Sequence, residues 1–134
     1  MGVGARRILV VDDDRLLAET LRMMIADFAT FELRQGIGVD VVTSGREAAQ
    51  ILESPGADGL DLVICDLSMP GVDGITLYEG LLARGSPLTQ RFVLVTGGAF
   101  TPAAEAAVGR HALPYLQKPF DSASLAGTLR PYFR

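Results

Sequence analysis

Short apolar runs alternate along this chain with segments whose apolar residues recur at helical spacing. Residues 8–11 (ILVV) are apolar throughout, as in a strand covered on both faces. Leu16, Leu17, Thr20, Leu21, Met24, Ile25 and Phe28 follow at the spacing of one helix face. Residues 39–43 (VDVVT) predict a second strand, and Ser44 with Glu47 forms a capping-box pattern opening a helix to about residue 53. SPGADG predicts a loop, residues 61–65 (DLVIC) a third strand and residues 67–74 (LSMPGVDG) a second loop. Ile75, Tyr78, Leu81 and Leu82 predict the inner face of a third helix, and residues 92–96 (FVLVT) a fourth strand. Thr101 and Pro102 suit the cap and first turn of a fourth helix, whose alanine-rich body has a thin apolar face. Residues 114–117 (PYLQ) predict a short edge strand, because Pro114 cannot join an interior ladder. Asp121 caps a last helix that turns Leu125 and Leu129 inward.

Strands and helices in strict alternation imply a parallel sheet with helices on both faces and right-handed crossovers. The 134 residues suit one domain, expected over residues 7–134, with residues 1–6 a flexible N-terminal segment. Residues 29–38 (ATFELRQGIG) fit either an extension of the first helix or a loop.

Composition narrows the function classes. With 49% hydrophobic residues the chain is globular, and no apolar run approaches the roughly 20 residues that span a bilayer. MGVGARR is too short and too weakly apolar for a signal peptide, and one cysteine, Cys65, excludes an internal disulfide framework. Both point to the cytoplasm without direct membrane contact. The net charge of −4 and the lack of a Lys/Arg cluster argue against a nucleic-acid surface.

In a sheet of this class the chemistry collects at the carboxyl ends of the strands. The first strand ends in Asp12, Asp13 and Asp14, the third in Asp66, the fourth in Thr96, and the fifth near Lys118. Converging carboxylates repel one another unless a cation joins them, and Mg²⁺ suits such an oxygen set. A lysine supplies a point charge for a phosphoryl oxygen and a threonine a hydrogen bond, so the set fits phosphoryl transfer to an aspartate.

From about Arg7 to the C-terminus the chain resembles the receiver domain of bacterial response regulators, on the stretches ILVVDDD, DLVICDLSMPGVDG, VLVTGG and YLQKPF. The resemblance implies a flavodoxin-like doubly wound α/β fold, a five-stranded parallel sheet of order 2-1-3-4-5 with five helices. It implies Asp66 as phosphoacceptor, and Asp13, Asp12, Asp66 and the Ser68 carbonyl around Mg²⁺. Lys118 and Thr96 would contact the phosphoryl group, the Lys118–Pro119 peptide would be cis, and Thr96 and Tyr115 would form a switch pair. The partner would be a histidine kinase or a histidine phosphotransfer domain. The domain would be no enzyme beyond its own phosphorylation and dephosphorylation. GGAFTPAA is similar to receivers fused to hybrid sensor histidine kinases.

Other readings attach to single residues. Asp14 suits a helix cap, Asp73 with Gly74 a turn and helix start, Cys65 core packing and His111 an exposed position, while Tyr115 suits a static strand position as well as a switch. Two other functions compete with the receiver. A small Mg²⁺-dependent phosphatase with an aspartyl nucleophile would use Asp12 and Asp14, but the Gly-Thr expected after such a pair is missing. A pseudo-receiver that only binds partners has no use for the complete acidic set and Lys118.

Overall fold

The computed structural model describes residues 6–98 and 100–133. Strands β1 (Arg6–Val11), β2 (Ile37–Val42), β3 (Leu62–Asp66), β4 (Phe92–Thr96) and β5 (Tyr115–Gln117) alternate with helices α1 (Arg15–Phe28), α2 (Gly45–Glu53), α3 (Gly74–Ala83), α4 (Pro102–His111) and α5 (Ser122–Leu129). All neighbouring strands run parallel, in the order β2-β1-β3-β4-β5. This is the flavodoxin-like doubly wound fold expected. The chain first winds toward β2 and then back past β1 to β3, so the switch point lies between β1 and β3.

The continuous apolar runs have a direct cause. Successive strand residues face opposite sides, and both sides are covered. Ile8, Val10, Leu62, Ile64, Val93 and Val95 pack with Leu21, Ile25 and Phe28 of α1 and Leu125 and Leu129 of α5. Leu9, Val11, Val63, Cys65, Phe92 and Leu94 pack with Leu52 of α2, Leu77, Tyr78 and Leu81 of α3 and Val108 of α4. Each such side chain contributes roughly 1.5–3 kcal/mol of burial. Cys65 therefore sits in the core as expected. β5 is an edge strand as expected, three residues long with only Leu116 buried, and β2 forms the other edge.

Each helix opens on a side-chain cap. Asp14, Ser44, Asp73, Thr101 and Asp121 accept from the backbone N–H of Leu17, Glu47, Thr76, Ala104 and Ser124. Such caps contribute about 1 kcal/mol apiece. Asp14, Asp73 and Thr101 open the helices that follow β1, β3 and β4, so these caps also define the rim of the site.

Several details differ from the sequence expectations. Leu16 is 79% exposed and Leu82 47% exposed. The inner stripe of α1 is Ala18, Leu21, Ile25 and Phe28, and Leu16 projects from the opposite side of that helix. Leu82 lies beside, not on, the stripe formed by Gly74, Leu77, Tyr78 and Leu81. Residues 55–59, expected as loop, form a 3₁₀ turn. β1 begins at Arg6, one residue inside the segment expected to be flexible, and residues 1–5 lie outside the described residues.

Residues 29–38 divide between the two readings and the next strand: 29–33 extend the helix, 34–36 form a short loop, and 37–38 open β2. α1 continues as a π-helical turn over Ala29–Leu33, ended by Arg34 at φ 57°. Glu32 in that turn accepts from the Arg130 guanidinium after α5, which holds the Glu32 carboxyl below its ordinary range. No helix among the described residues is long and apolar enough to cross a membrane.

Candidate functional site

Asp12 extends the sheet by one residue beyond β1, because its N–H donates to the Val42 carbonyl at 3.0 Å. Its Oδ1 accepts from the Asp14 N–H at 2.9 Å, which folds the chain into the first turn of α1. Asp14 itself caps that helix, as the sequence suggested, and its carboxylate takes no part in the acidic cluster.

Asp66 is the last residue of β3, and its Oδ1 accepts from the Ser68 N–H at 3.4 Å. The loop after it closes when the Gly74 N–H donates to the Leu67 carbonyl at 3.1 Å. A Cβ on Gly74 would lie 2.7 Å from the Asp66 carbonyl oxygen and 2.8 Å from Leu94 Cδ2, so only glycine lets α3 start this close to Asp66.

Lys118 is anchored where its backbone N–H donates to the Thr96 carbonyl at 2.7 Å. Its Nζ lies 3.5 Å from Asp12 Oδ2 and 3.7 Å from Asp66 Oδ1. The Lys118–Pro119 peptide is cis.

Asp12, Asp13 and Asp66 bring one carboxylate oxygen each within 4.8 Å of one another. Asp12 and Asp66 are buried, at 1% and 6% exposure, while Asp13 faces solvent. Among the described residues, only the Lys118 ammonium is paired with these three carboxylates, which leaves two negative charges uncompensated when all three are ionised. Burial, and then the Asp12 charge, push the Asp66 carboxyl up from 3.8 to about 6, against the opposing pull of Lys118. Burial also drives the neighbouring Cys65 thiol well above its ordinary range, so it is inert as a nucleophile.

Among the described residues, two buried oxygens lack hydrogen-bond partners, Asp12 Oδ2, which has only the Lys118 ammonium at 3.5 Å, and Thr96 Oγ1. A buried unpaired oxygen is costly. A buried carboxylate oxygen that accepts no hydrogen bond, inside a cluster with two excess negative charges, fits a hard divalent cation with oxygen ligands. The residues present thus fit Mg²⁺.

The sheet brings Asp12, Asp13, Asp66, Ser68 and Lys118 together, and Thr96 ends the adjoining strand. Tyr115 is not at the pocket. It is 48% exposed and meets Phe100 edge-on at 5.2 Å. Phe100 was not foreseen, because a lone aromatic in a loop carries no periodic signal. Gly74 opens α3 as expected, but its close approach to the Asp66 carbonyl is visible only in three dimensions. His111, expected to be exposed, is largely covered: it lies on the Tyr78 ring at 5.1 Å, with Nε2 3.4 Å from Glu79.

The family described as response regulator receiver domain matches residues 8–130. Response regulator MprA of Mycolicibacterium vanbaalenii is 32% identical over 96% of this chain and 50% of its own length. The C4-dicarboxylate transport transcriptional regulatory protein DctD of Rhizobium meliloti is 31% identical over 95% of this chain and 25% of its own length. The chain thus spans half or less of these curated relatives. A response regulator receiver domain protein from Clostridium thermocellum superposes with a TM-score of 0.77 at 21% identity, covering 96% of this chain and 94% of that one, a likeness of fold.

Proposed function

The chain belongs to the response regulator receiver domain family, and from that premise we propose that Asp66 accepts a phosphoryl group from a phosphohistidine of a partner protein, with Mg²⁺ bound beside it. The observation that carries this reading is the placement of Asp66 within the three-carboxylate cluster and 3.7 Å from Lys118 Nζ. Asp13, Asp12, Asp66 and the Ser68 carbonyl would hold the ion. When bound, Mg²⁺ supplies charge neutralisation among the carboxylates and on the phosphoryl oxygens.

The residues divide the remaining work. Asp66 Oδ1 is steadied by the Ser68 N–H, and Oδ2 accepts no hydrogen bond among the described residues, so Oδ2 is the attacking atom. The new bond is phosphorus to Oδ2. The phosphorus–nitrogen bond breaks, and the imidazole leaves with its electron pair and takes up a proton. Lys118 moves from the two carboxylates it now shares to a phosphoryl oxygen. The unpartnered Thr96 hydroxyl donates to another, which ends its orphaned state.

Incubation of the protein with acetyl phosphate and Mg²⁺ tests this. The expected result is one acid-stable, hydroxylamine-labile phosphoryl group per chain. Continuous release of phosphate in multiple turnovers would favour the phosphatase, and an unmodified protein the pseudo-receiver.

The pairing of Thr96 and Tyr115 supports a switch. Thr96 moves toward the phosphoryl group and Tyr115 leaves Phe100 to turn inward. α4 is the element free to respond, since it buries only Ala107 and Val108. A cavity of about 570 Å³ between the β3–α3 loop and α4, with Phe100 and Ala104 on its wall, leaves it room to move. Beryllofluoride with Mg²⁺ should shift amide resonances along α4, β5 and α5 as well as at the pocket. Shifts confined to the pocket would exclude this coupling.

A histidine kinase or a histidine phosphotransfer domain is the proposed phosphodonor, and the net charge of −4 favours a protein partner over nucleic acid. Leu17 and Met24 of α1 line a hollow with Lys118 and Phe120, which offers the partner a seat next to the pocket. The likeness of GGAFTPAA to hybrid-kinase receivers supports a setting within such a kinase. The relatives named above are response and transcriptional regulators, and the flanking gene sequence decides between the two settings.

A further inference from the structure

We propose that Gly45, on α2 and outside the acidic pocket, is a positioning residue for the loop that carries the phosphoacceptor site. The inference rests on reading that pocket as a Mg²⁺-dependent phosphoacceptor. Gly45 is buried at the first position of α2. A Cβ built on it would overlap the Val72 carbonyl oxygen, and would lie 2.9 Å from the Val72 carbonyl carbon and 3.0 Å from its Cβ. Val72 belongs to the segment between Asp66 and Gly74, so α2 touches the backbone of the β3–α3 loop directly.

That loop is held tightly at its other end. Gly74 sits against the Asp66 carbonyl, and its N–H is bound to the Leu67 carbonyl at 3.1 Å. With α3 locked there, whatever part of a push on Val72 α2 does not absorb passes to residues 67–71, which include Ser68. Ser68 steadies Asp66 Oδ1 through its N–H, and on the reading above its carbonyl would face the ion. The backbone of Gly45 is not in the left-handed region, so alanine meets no conformational penalty and has the better helix propensity. Any loss on substitution therefore reports the contact with Val72.

The experiment compares Gly45→Ala with Ser44→Ala. The second variant removes the α2 cap, a hydrogen bond of 3.2 Å to the Glu47 N–H, without pressing on Val72. Gly45→Ala should raise the Mg²⁺ dissociation constant about tenfold. It should also slow acetyl phosphate labelling at limiting Mg²⁺ and shift the metal-free amide resonances of residues 66–73. Ser44→Ala should lower Tm yet keep the dissociation constant within about twofold of wild type. Equal Mg²⁺ affinity in Gly45→Ala and wild type, or equal losses in the two variants, overturns the proposal. A wild-type protein that binds no Mg²⁺ refutes the reading of the pocket instead, and the amide shifts of residues 66–73 then decide the loop contact alone. If Gly45→Ala does not fold, Val72→Gly loosens the same contact from the loop side. It should weaken Mg²⁺ in the same direction, and an unchanged dissociation constant overturns the proposal.

Discussion

Asp66→Asn should abolish labelling by acetyl phosphate, with a loss on the order of a hundredfold or more. The amide fills the same space but offers no anionic oxygen to phosphorus. The rest of the pocket stays in place, since Asp12 is fixed by its bonds to Val42 and Asp14, and Lys118 by its bond to Thr96. Neither remaining acid is a ready substitute. Asp12 is 1% exposed with one oxygen engaged by the Asp14 N–H, and Asp13 faces solvent beyond the end of β1. Intact mass after incubation, with and without EDTA, reads the outcome. Full labelling of Asp66→Asn, or undiminished labelling of Asp66 in EDTA, would sink the mechanism. Asp13→Ala should retain Asp66 as acceptor while requiring more Mg²⁺ to reach the same extent.

Without metal, the same aspartate should make the protein less stable as pH rises from about 4 to about 6. In the folded protein the Asp66 carboxyl is pushed up from 3.8 to about 6, first by burial and then by the Asp12 charge. Between those values the folded state holds a proton that the unfolded chain has released. Stability from this group is therefore complete below about 4 and lost as pH passes about 6. A shift of about two pH units corresponds to roughly 2–3 kcal/mol. For a domain of this size that is roughly 10 °C in Tm. In EDTA at pH 7.5, Asp66→Asn should thus melt well above wild type, and the gap should close toward pH 4. Saturating Mg²⁺ should narrow it at pH 7.5, because the ion repays wild type with the countercharge that the variant needs less. A Tm gap independent of pH, or a wild type more stable than the variant in EDTA at pH 7.5, would refute this account of Asp66.

Both expectations concern a residue that was visible before any coordinates, and the reason lies in strand geometry. ILVV, LVIC and FVLV are apolar without alternation because helices cover both faces of a parallel sheet, and that pattern marks where each strand ends. Once the ends are known, Asp12, Asp13, Asp66, Thr96 and Lys118 fall at one edge of the sheet. The caps were legible for a similar reason, since Asp14, Ser44, Thr101 and Asp121 each act on a backbone N–H three residues ahead.

Other features depend on distance in space. Helical spacing names candidate apolar positions, but packing selects the stripe, so Leu16 and Leu82 face water while Ala18 is buried. Residues 29–38 had no decisive pattern, and their π turn meets, through Glu32, an arginine 98 residues away, Arg130. His111 is covered by Tyr78 and Glu79 of a helix about thirty residues earlier. Gly45 and Gly74 have no side chain to signal a role. Their importance lies in how closely two other backbones approach them. The succession of strands and helices along the chain, the residues at the strand ends and the helix starts were determined by local sequence, because side-chain periodicity and capping act over a few residues. The elevated pKa of Asp66, the outward Tyr115 and the glycine contacts that hold the β3–α3 loop were decided by the tertiary structure alone, because burial, charge proximity and steric contact sum over segments far apart in the chain.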